Sequence, residues 1–299
     1  MRSEGAVLNF ELQRAHGRLA DYWELTKPRV VAMVLVTTLC GFYLGANGVW
    51  QPQLIMALLA GTALAAGGTL ALNQFMERDL DARMLRTRTR PLPEGRLRPA
   101  EALWFGVIVG LVGVGYLYFA VNPLTAALTA AISVVYLLIY TPLKRVSSIC
   151  SVVGAIPGAL PPVAGWAAAH GNLAAPAWVL FAIMFLWQLP HSLAIAQLYH
   201  EDYSRAGIHL LPTEDPDGGS TARQIVSNSL ALLAVALLPT LMGFAGLAYG
   251  IIAFALGVLM LSCGVRLALK PSLRAARHVM FASLVYLPLI LIAMVLDKI

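Results

Sequence analysis

Apolar runs long enough to cross a bilayer recur nine times, at about 30–47, 53–75, 102–120, 123–141, 149–168, 175–198, 225–243, 246–264 and 279–296. About 20 apolar residues in a helix match the hydrocarbon core of a bilayer. Inside that core the backbone must satisfy its own hydrogen bonds, so spanning segments are helices or closed barrels. The expected fold class is all-α: a polytopic membrane protein with nine transmembrane helices around a central cavity. Only 12% of residues are charged, about half the share of a soluble protein. The run at 149–168 holds Pro157, Pro161 and Pro162, and a broken helix lining a cavity is expected there.

Charge placement orients the bundle. Of 21 Lys and Arg, five precede the first run (Arg2, Arg14, Arg18, Lys27, Arg29) and seven lie in 78–98. Lys144 and Arg145 follow the fourth run, Arg205 and Arg223 the sixth, and Arg266, Lys270, Arg274 and Arg277 the eighth. Only Lys298 falls on the other side. The positive-inside rule puts the N-terminus in the cytoplasm. The net charge of +6 follows from this, so nucleic acid is not an expected partner; the lipid bilayer is. The first 26 residues contain no apolar signal core, and Glu4, Glu11, Asp21 and Glu24 are unlike a transit peptide. A bacterial cell inner membrane is the simplest location.

The outer loops, such as Ala46 to Gln53 and His170 to Leu173, are short. The inner loops 77–100 and 199–224 are long, and each starts with acids at the end of an even-numbered run. The chain reads as one membrane-embedded domain, 1–299, with duplicated four-helix halves at about 27–145 and 146–266 and a ninth helix at 279–296. The turn-rich stretch Thr213 to Ser220 is either a mobile lid or a solvated connector. Cys40, Cys150 and Cys263 lie in apolar runs without ligand spacing and read as core residues.

Four constellations carry chemistry. Asn73, Glu77 and Asp81 are spaced i, i+4, i+8, within roughly 80° on a helix, so they share a face. Asp79 points off that face. Carboxylates beside hydrocarbon are expensive and mark function. Two carboxylates and an amide suit Mg²⁺, which takes one or two carboxylates plus phosphate oxygens. The bland alternative is helix-end acids paired with Arg78 and Arg83. Arg86 and Arg90 belong to an arginine series whose forks match phosphate; the positive-inside surplus also explains such a series. In Trp187-Gln-Leu-Pro-His191 and Tyr199-His-Glu-Asp202-Tyr203, His191 and Asp202 lie about three turns apart. A polar cavity there competes with a histidine satisfied by a proline-freed carbonyl. Tyr140-Thr-Pro-Leu-Lys144-Arg145 either reaches a diphosphate or anchors a membrane end.

Together these residues resemble the UbiA-type intramembrane prenyltransferase superfamily, and within it the heme O synthases. The superfamily has Asn-x-x-x-Asp-x-x-x-Asp where this chain has Asn73, Glu77 and Asp81. Met84-x-Arg86-Thr87-x-x-Arg90-Pro91, Trp187-Gln-x-Pro-His191, Asp202-Tyr203-x-x-Ala206-Gly207-Ile208, Pro161-Pro-x-x-Gly165-Trp166 and Leu25-Thr-Lys27-Pro28-Arg29 resemble the heme branch in order and spacing. Two departures stand out. The second Asp-x-x-x-Asp motif is absent, with Tyr199, Glu201 and Asp202 in its region. Ser192 follows His191 where the branch usually has an aromatic, which bears on packing more than on chemistry.

The resemblance implies transfer of the farnesyl group of farnesyl diphosphate to a vinyl group of heme b, with water addition, giving heme o and diphosphate. It implies Mg²⁺ held through Asn73, Glu77, Asp81 and Asp202. Arg86, Arg90, Lys144 and Arg145 would bind the diphosphate, and His191 and Tyr203 would contact heme or handle water. It also implies delivery of heme o to a heme a synthase or to terminal-oxidase assembly. Two alternatives stay open: a prenyltransferase acting on a quinone precursor or chlorophyll-type ring, and a non-catalytic heme-handling protein or transporter.

Overall fold

The computed structural model describes residues 17–46, 48 and 51–299. Arg2, Glu4, Glu11, Arg14, His16 and part of the Ala46 to Gln53 loop lie outside the described residues. Among those described, nine helices are long and apolar enough to span a membrane. They are α1 (Pro28–Gly45), α2 (Pro52–Asp81), α3 (Pro99–Ala120), α4 (Pro123–Leu143), α5 (Cys150–His170), α6 (Ala175–Leu198), α7 (Gly219–Leu241), α8 (Leu247–Leu269) and α9 (Leu273–Leu296). The protein is a multi-pass membrane protein.

Local chemistry sets the helix starts. The first four open on proline, whose fixed φ suits the first helical position and whose missing N–H would have had no partner. Asn122 and Ser272 cap α4 and α9 by accepting from Thr125 N at 2.8 Å and Ala275 N at 3.1 Å. α5 breaks at Leu160, between Cys150–Ala159 and Pro161–His170, where two successive prolines remove backbone donors. α2 outruns its apolar stretch and carries its acids on an unbroken helix to Asp81.

Long-range contacts tie each end of the bundle. At one end Arg96 bonds Asp21 and Glu24, and Arg18 bonds Glu101. At the same end Lys144 O accepts from His209 N at 2.8 Å. At the other end Asn122 Nδ2 donates to Ala167 O at 3.0 Å. There Lys298 Nζ donates to Tyr43 O and Ala46 O at 2.8 and 2.6 Å, neutralising the carbonyl end of α1.

α2, α5 and α6 are the most buried spans. α1 lies between α2 and the second half of α5, α3 packs on α2, and α6 touches α5, α7 and α9. Small residues allow the closest approaches, as expected where helices associate by packing in lipid. A side chain on Gly68 of α2 would come within 2.6 Å of Gly110 Cα on α3. Gly165 lies on the Thr38 carbonyl and Gly41 on Pro162, joining α1 to α5. Phe119, Leu138, Ile251 and Leu269 are exposed and form part of the lipid-facing surface.

Candidate active site

α2 brings Asn73, Glu77 and Asp81 to one face, at 1%, 7% and 1% exposure. They line a polar cavity of about 130 Å³ at the charged end of the bundle. Lys27, Arg86, Arg90, Lys144, Tyr136, Tyr140 and Tyr203 also line it.

The opposite wall comes from a change of helical register in α4. Residues Val135–Tyr140 form a π-helix, a rare form often found at functional sites. Thr141 holds the junction. Its hydroxyl donates to Tyr136 O at 2.8 Å, five residues back, and accepts from Asn73 Nδ2 at 3.1 Å. Tyr136 and Tyr140 thereby face the cavity one above the other, their ring centroids 5.2 Å apart.

Each carboxylate meets a cation from another segment. Lys144 Nζ donates to Glu77 Oε1 at 2.8 Å, and Arg90 NH1 to Asp81 Oδ2 at 2.7 Å. Thr87 Oγ1 donates to Asp81 O at 2.9 Å, folding the inner loop back over the helix end. Arg86 NH2 donates to Tyr203 Oη at 2.6 Å, and its guanidinium lies 4.6 Å from that ring centroid. Burial alone would depress the Lys144 ammonium, but Tyr140 and Glu77 outweigh it and hold the group well above the usual lysine range.

Lys27 donates to Asn73 Oδ1 at 2.9 Å. It is the only non-glycine with positive φ among the described residues, at 52°. That conformation costs about 1–2 kcal/mol. It turns the ammonium into the cavity. Burial first, then the nearby Arg90, pushes the Lys27 ammonium down to about 7.

Beneath the polar cavity lies an apolar one of about 280 Å³, between α1, α2, α4, α5 and α6. Tyr136 and Tyr140 line both. Pro157, Gly158 and Pro161 at the break in α5 form part of its wall. Together the two have the dimensions of a small-molecule site, a few hundred Å³.

The remaining expected residues lie elsewhere. Asp202 stands behind the cavity wall, where its Oδ1 accepts from Leu85 N at 3.2 Å and Arg205 NH1 at 2.8 Å. Arg145 turns outward and donates to Met76 O at 3.1 Å. Asp79 is exposed beside Arg78, off the shared face. His191 lines neither cavity. It faces α9, stacked on Trp187 at 4.9 Å with Nδ1 2.7 Å from Ser283 Oγ. Ser283 Oγ also lies 2.6 Å from Met280 O, to which it can donate.

Sequence reasoning carried Lys27 and Thr141 inside quoted motifs without giving either a role, and did not name Tyr136. A lysine before a proline at the start of a span looks like ordinary positive-inside charge. Tyr136 sits inside an apolar run, and nothing in its spacing signals a π turn.

Among the described residues no three His, Cys, Asp or Glu side chains gather closely enough to hold a metal alone. The donor set nevertheless fits Mg²⁺. Lys144 and Arg90 each occupy one carboxylate oxygen and leave a second. Hard oxygen donors of this number suit an ion that takes its other ligands from water and phosphate.

Comparison with known proteins identifies the family and the fold. The profile of the UbiA prenyltransferase family matches residues 34–285. A protein named protoheme IX farnesyltransferase from Solibacter usitatus (strain Ellin6076) is 47% identical over 289 residues, covering 94% of this chain and 99% of its own. Its namesake from Koribacter versatilis (strain Ellin345) is 43% identical, with 94% of each chain covered. A solved digeranylgeranylglyceryl phosphate synthase superposes with a TM-score of 0.80 at 16% identity, over 93% of this chain and 98% of that one. A UbiA homolog from Archaeoglobus fulgidus bound to GPP and Mg²⁺ superposes at 0.63 and 16% identity, over 92% and 99%. These two structures establish the shared fold.

Proposed function

The chain belongs to the UbiA prenyltransferase family, and on that premise we propose that it farnesylates heme b. The farnesyl group of farnesyl diphosphate joins a vinyl group of heme b, water adds, and heme o and diphosphate leave. The observation that carries this reading is the 47% identity, across 94% of the chain, to a protein named protoheme IX farnesyltransferase.

The cavities support the chemistry. With Lys27 charged, four cations face two carboxylates in the polar cavity, a surplus of two positive charges that suits a diphosphate. Asn73, Glu77 and Asp81 would hold Mg²⁺. When bound, Mg²⁺ would supply positive charge to offset that of the diphosphate leaving group. Arg86, Arg90 and Lys144 stabilise the leaving oxygens from fixed positions, so little reorganisation is needed during reaction. The apolar cavity holds the farnesyl chain and keeps bulk water from the allylic cation. Asp202 supports the site by fixing the backbone at Leu85, and Arg145 by tying the Lys144 turn to α2. Tyr203 orients Arg86. His191, held by Trp187 and Ser283, serves the heme side. The positive-inside rule favours the cytoplasmic side for the polar cavity, and a bacterial inner membrane is the location that goes with this reading.

The test is incubation of membranes containing the protein with heme b, Mg²⁺ and farnesyl diphosphate, read by mass spectrometry. Farnesylated, hydrated heme is the expected product. No farnesylated heme, with prenylation of 4-hydroxybenzoate instead, would overturn the proposal in favour of a quinone-precursor enzyme.

A further inference from the structure

The wall of the apolar cavity is not wholly apolar. Thr38 of α1, Thr62 and Thr69 of α2 and Ser133 of α4 all line it. Thr38 and Thr62 are 0% and 6% exposed, and neither hydroxyl oxygen has a hydrogen-bond partner among the described residues. A buried polar group left unpaired is costly, and such groups in folded proteins are usually met by water or serve function. A pocket for a hydrocarbon chain alone gains nothing from them.

Thr62, Thr69 and Asn73 fall within roughly 40° on α2. The hydroxyls therefore continue the face that carries the carboxylates. Thr69 lies one turn, about 6 Å, below Asn73. Its Oγ1 is 2.7 Å from Ser133 Oγ. Ser133 in turn is one turn before Tyr136, which lines both cavities. The hydroxyl pair thus sits just beneath the junction where the C–O bond of a bound prenyl diphosphate would break.

We infer that Thr69 and Ser133 hold the single water that completes the reaction. This rests on the reading that heme b is farnesylated with hydration. The C–O pair leaves with diphosphate. The vinyl π pair forms the C–C bond to the farnesyl carbon and leaves a cation on the inner vinyl carbon, beside the porphyrin. A lone pair of the held water closes that cation, and the water proton passes to the departing diphosphate, the strongest base released in the cavity. The hydroxyls suit this task. Thr69 Oγ1 donates to Ala65 O at 2.8 Å and Ser133 Oγ to Thr129 O at 3.1 Å. Their protons are contested by carbonyls and by each other, so acceptor lone pairs are in excess. A water that donates to them keeps its own lone pair free to attack.

The competing fate of the cation is loss of a proton, giving a farnesylated heme lighter by one water. Membranes carrying wild type, Thr69→Val, Ser133→Ala or Thr69→Ser are incubated with heme b, farnesyl diphosphate and Mg²⁺. The ratio of dehydrated to hydrated product is read by mass spectrometry on whatever farnesylated heme forms. A rise of about tenfold is expected for Thr69→Val and Ser133→Ala, the change produced by losing one hydrogen bond to the attacking water. Thr69→Ser, which restores the hydroxyl, keeps the wild-type ratio. A wild-type ratio in Ser133→Ala, and in Thr69→Val wherever that variant forms product, overturns the inference. Absence of any farnesylated heme from wild type would instead refute the reaction on which it rests.

Discussion

Lys144 and Glu77 meet at 2.8 Å, joining the end of α4 to the middle of the acidic face of α2. The pair is buried and comes from segments 67 residues apart. The site is therefore assembled by helix packing, and each carboxylate is positioned by a cation before substrate arrives.

Removing one acid tests the proposed metal-binding face. Asp81→Asn keeps the shape of the side chain but removes its charge. Heme o formation in membranes is expected to fall at least about a hundredfold, the scale of losing one preorganised electrostatic group. Heme binding, followed by absorbance, stays near wild type. Undiminished heme o formation would eliminate Asp81 from the metal site.

The Lys27 ammonium, pushed down to about 7, gives the site a pH dependence. Below that pH the free enzyme carries the charge; above it, binding an anionic diphosphate must first draw a proton onto Lys27. KM for farnesyl diphosphate is thus expected to be flat in acid and to rise above pH 7, by at most about tenfold per unit. Lys27→Arg stays charged and flattens the profile. An equal rise in Lys27→Arg would assign the effect to another group.

Tyr203 contributes a hydroxyl to Arg86 and a ring beneath it. Tyr203→Phe keeps the ring and loses the bond. KM for farnesyl diphosphate should rise about fivefold, the equivalent of roughly 1 kcal/mol, with kcat changed less. A large fall in kcat at constant KM would point instead to direct participation in the chemistry.

Gly68→Val probes the scaffold beneath the site. The added side chain meets the Gly110 backbone, which cannot yield as a flexible side chain would. A loss of about 3 kcal/mol is expected, seen as a lower unfolding temperature in detergent. Gly115→Val, on α3 with open space around it, should leave that temperature nearly unchanged.

The helix face of Asn73, Glu77 and Asp81 was legible because helical periodicity is local: spacing alone puts those residues together. The same logic placed Asp79 outside. Asp202 illustrates the limit. Its position after the sixth span matched the acids after the second, but a backbone N–H 117 residues away takes its carboxylate, and no local rule reveals that contact. Lys27 sat within a quoted motif but was given no role, for a related reason. Its left-handed backbone and its partner Asn73 are properties of packing that its sequence neighbourhood does not show. The α5 break was readable from its prolines; the π turn of α4 had no comparable mark.

Every charged group lining the polar cavity comes from the chain up to Lys144, while His191 and Ser283 belong to helices that follow. On the proposed reading, the charges that would capture the leaving group are thus written before the fifth span, whereas His191, proposed for the heme side, comes after it. A chimera joining the first four spans of this protein to the later spans of a quinone-type relative should inherit its acceptor choice from the second parent.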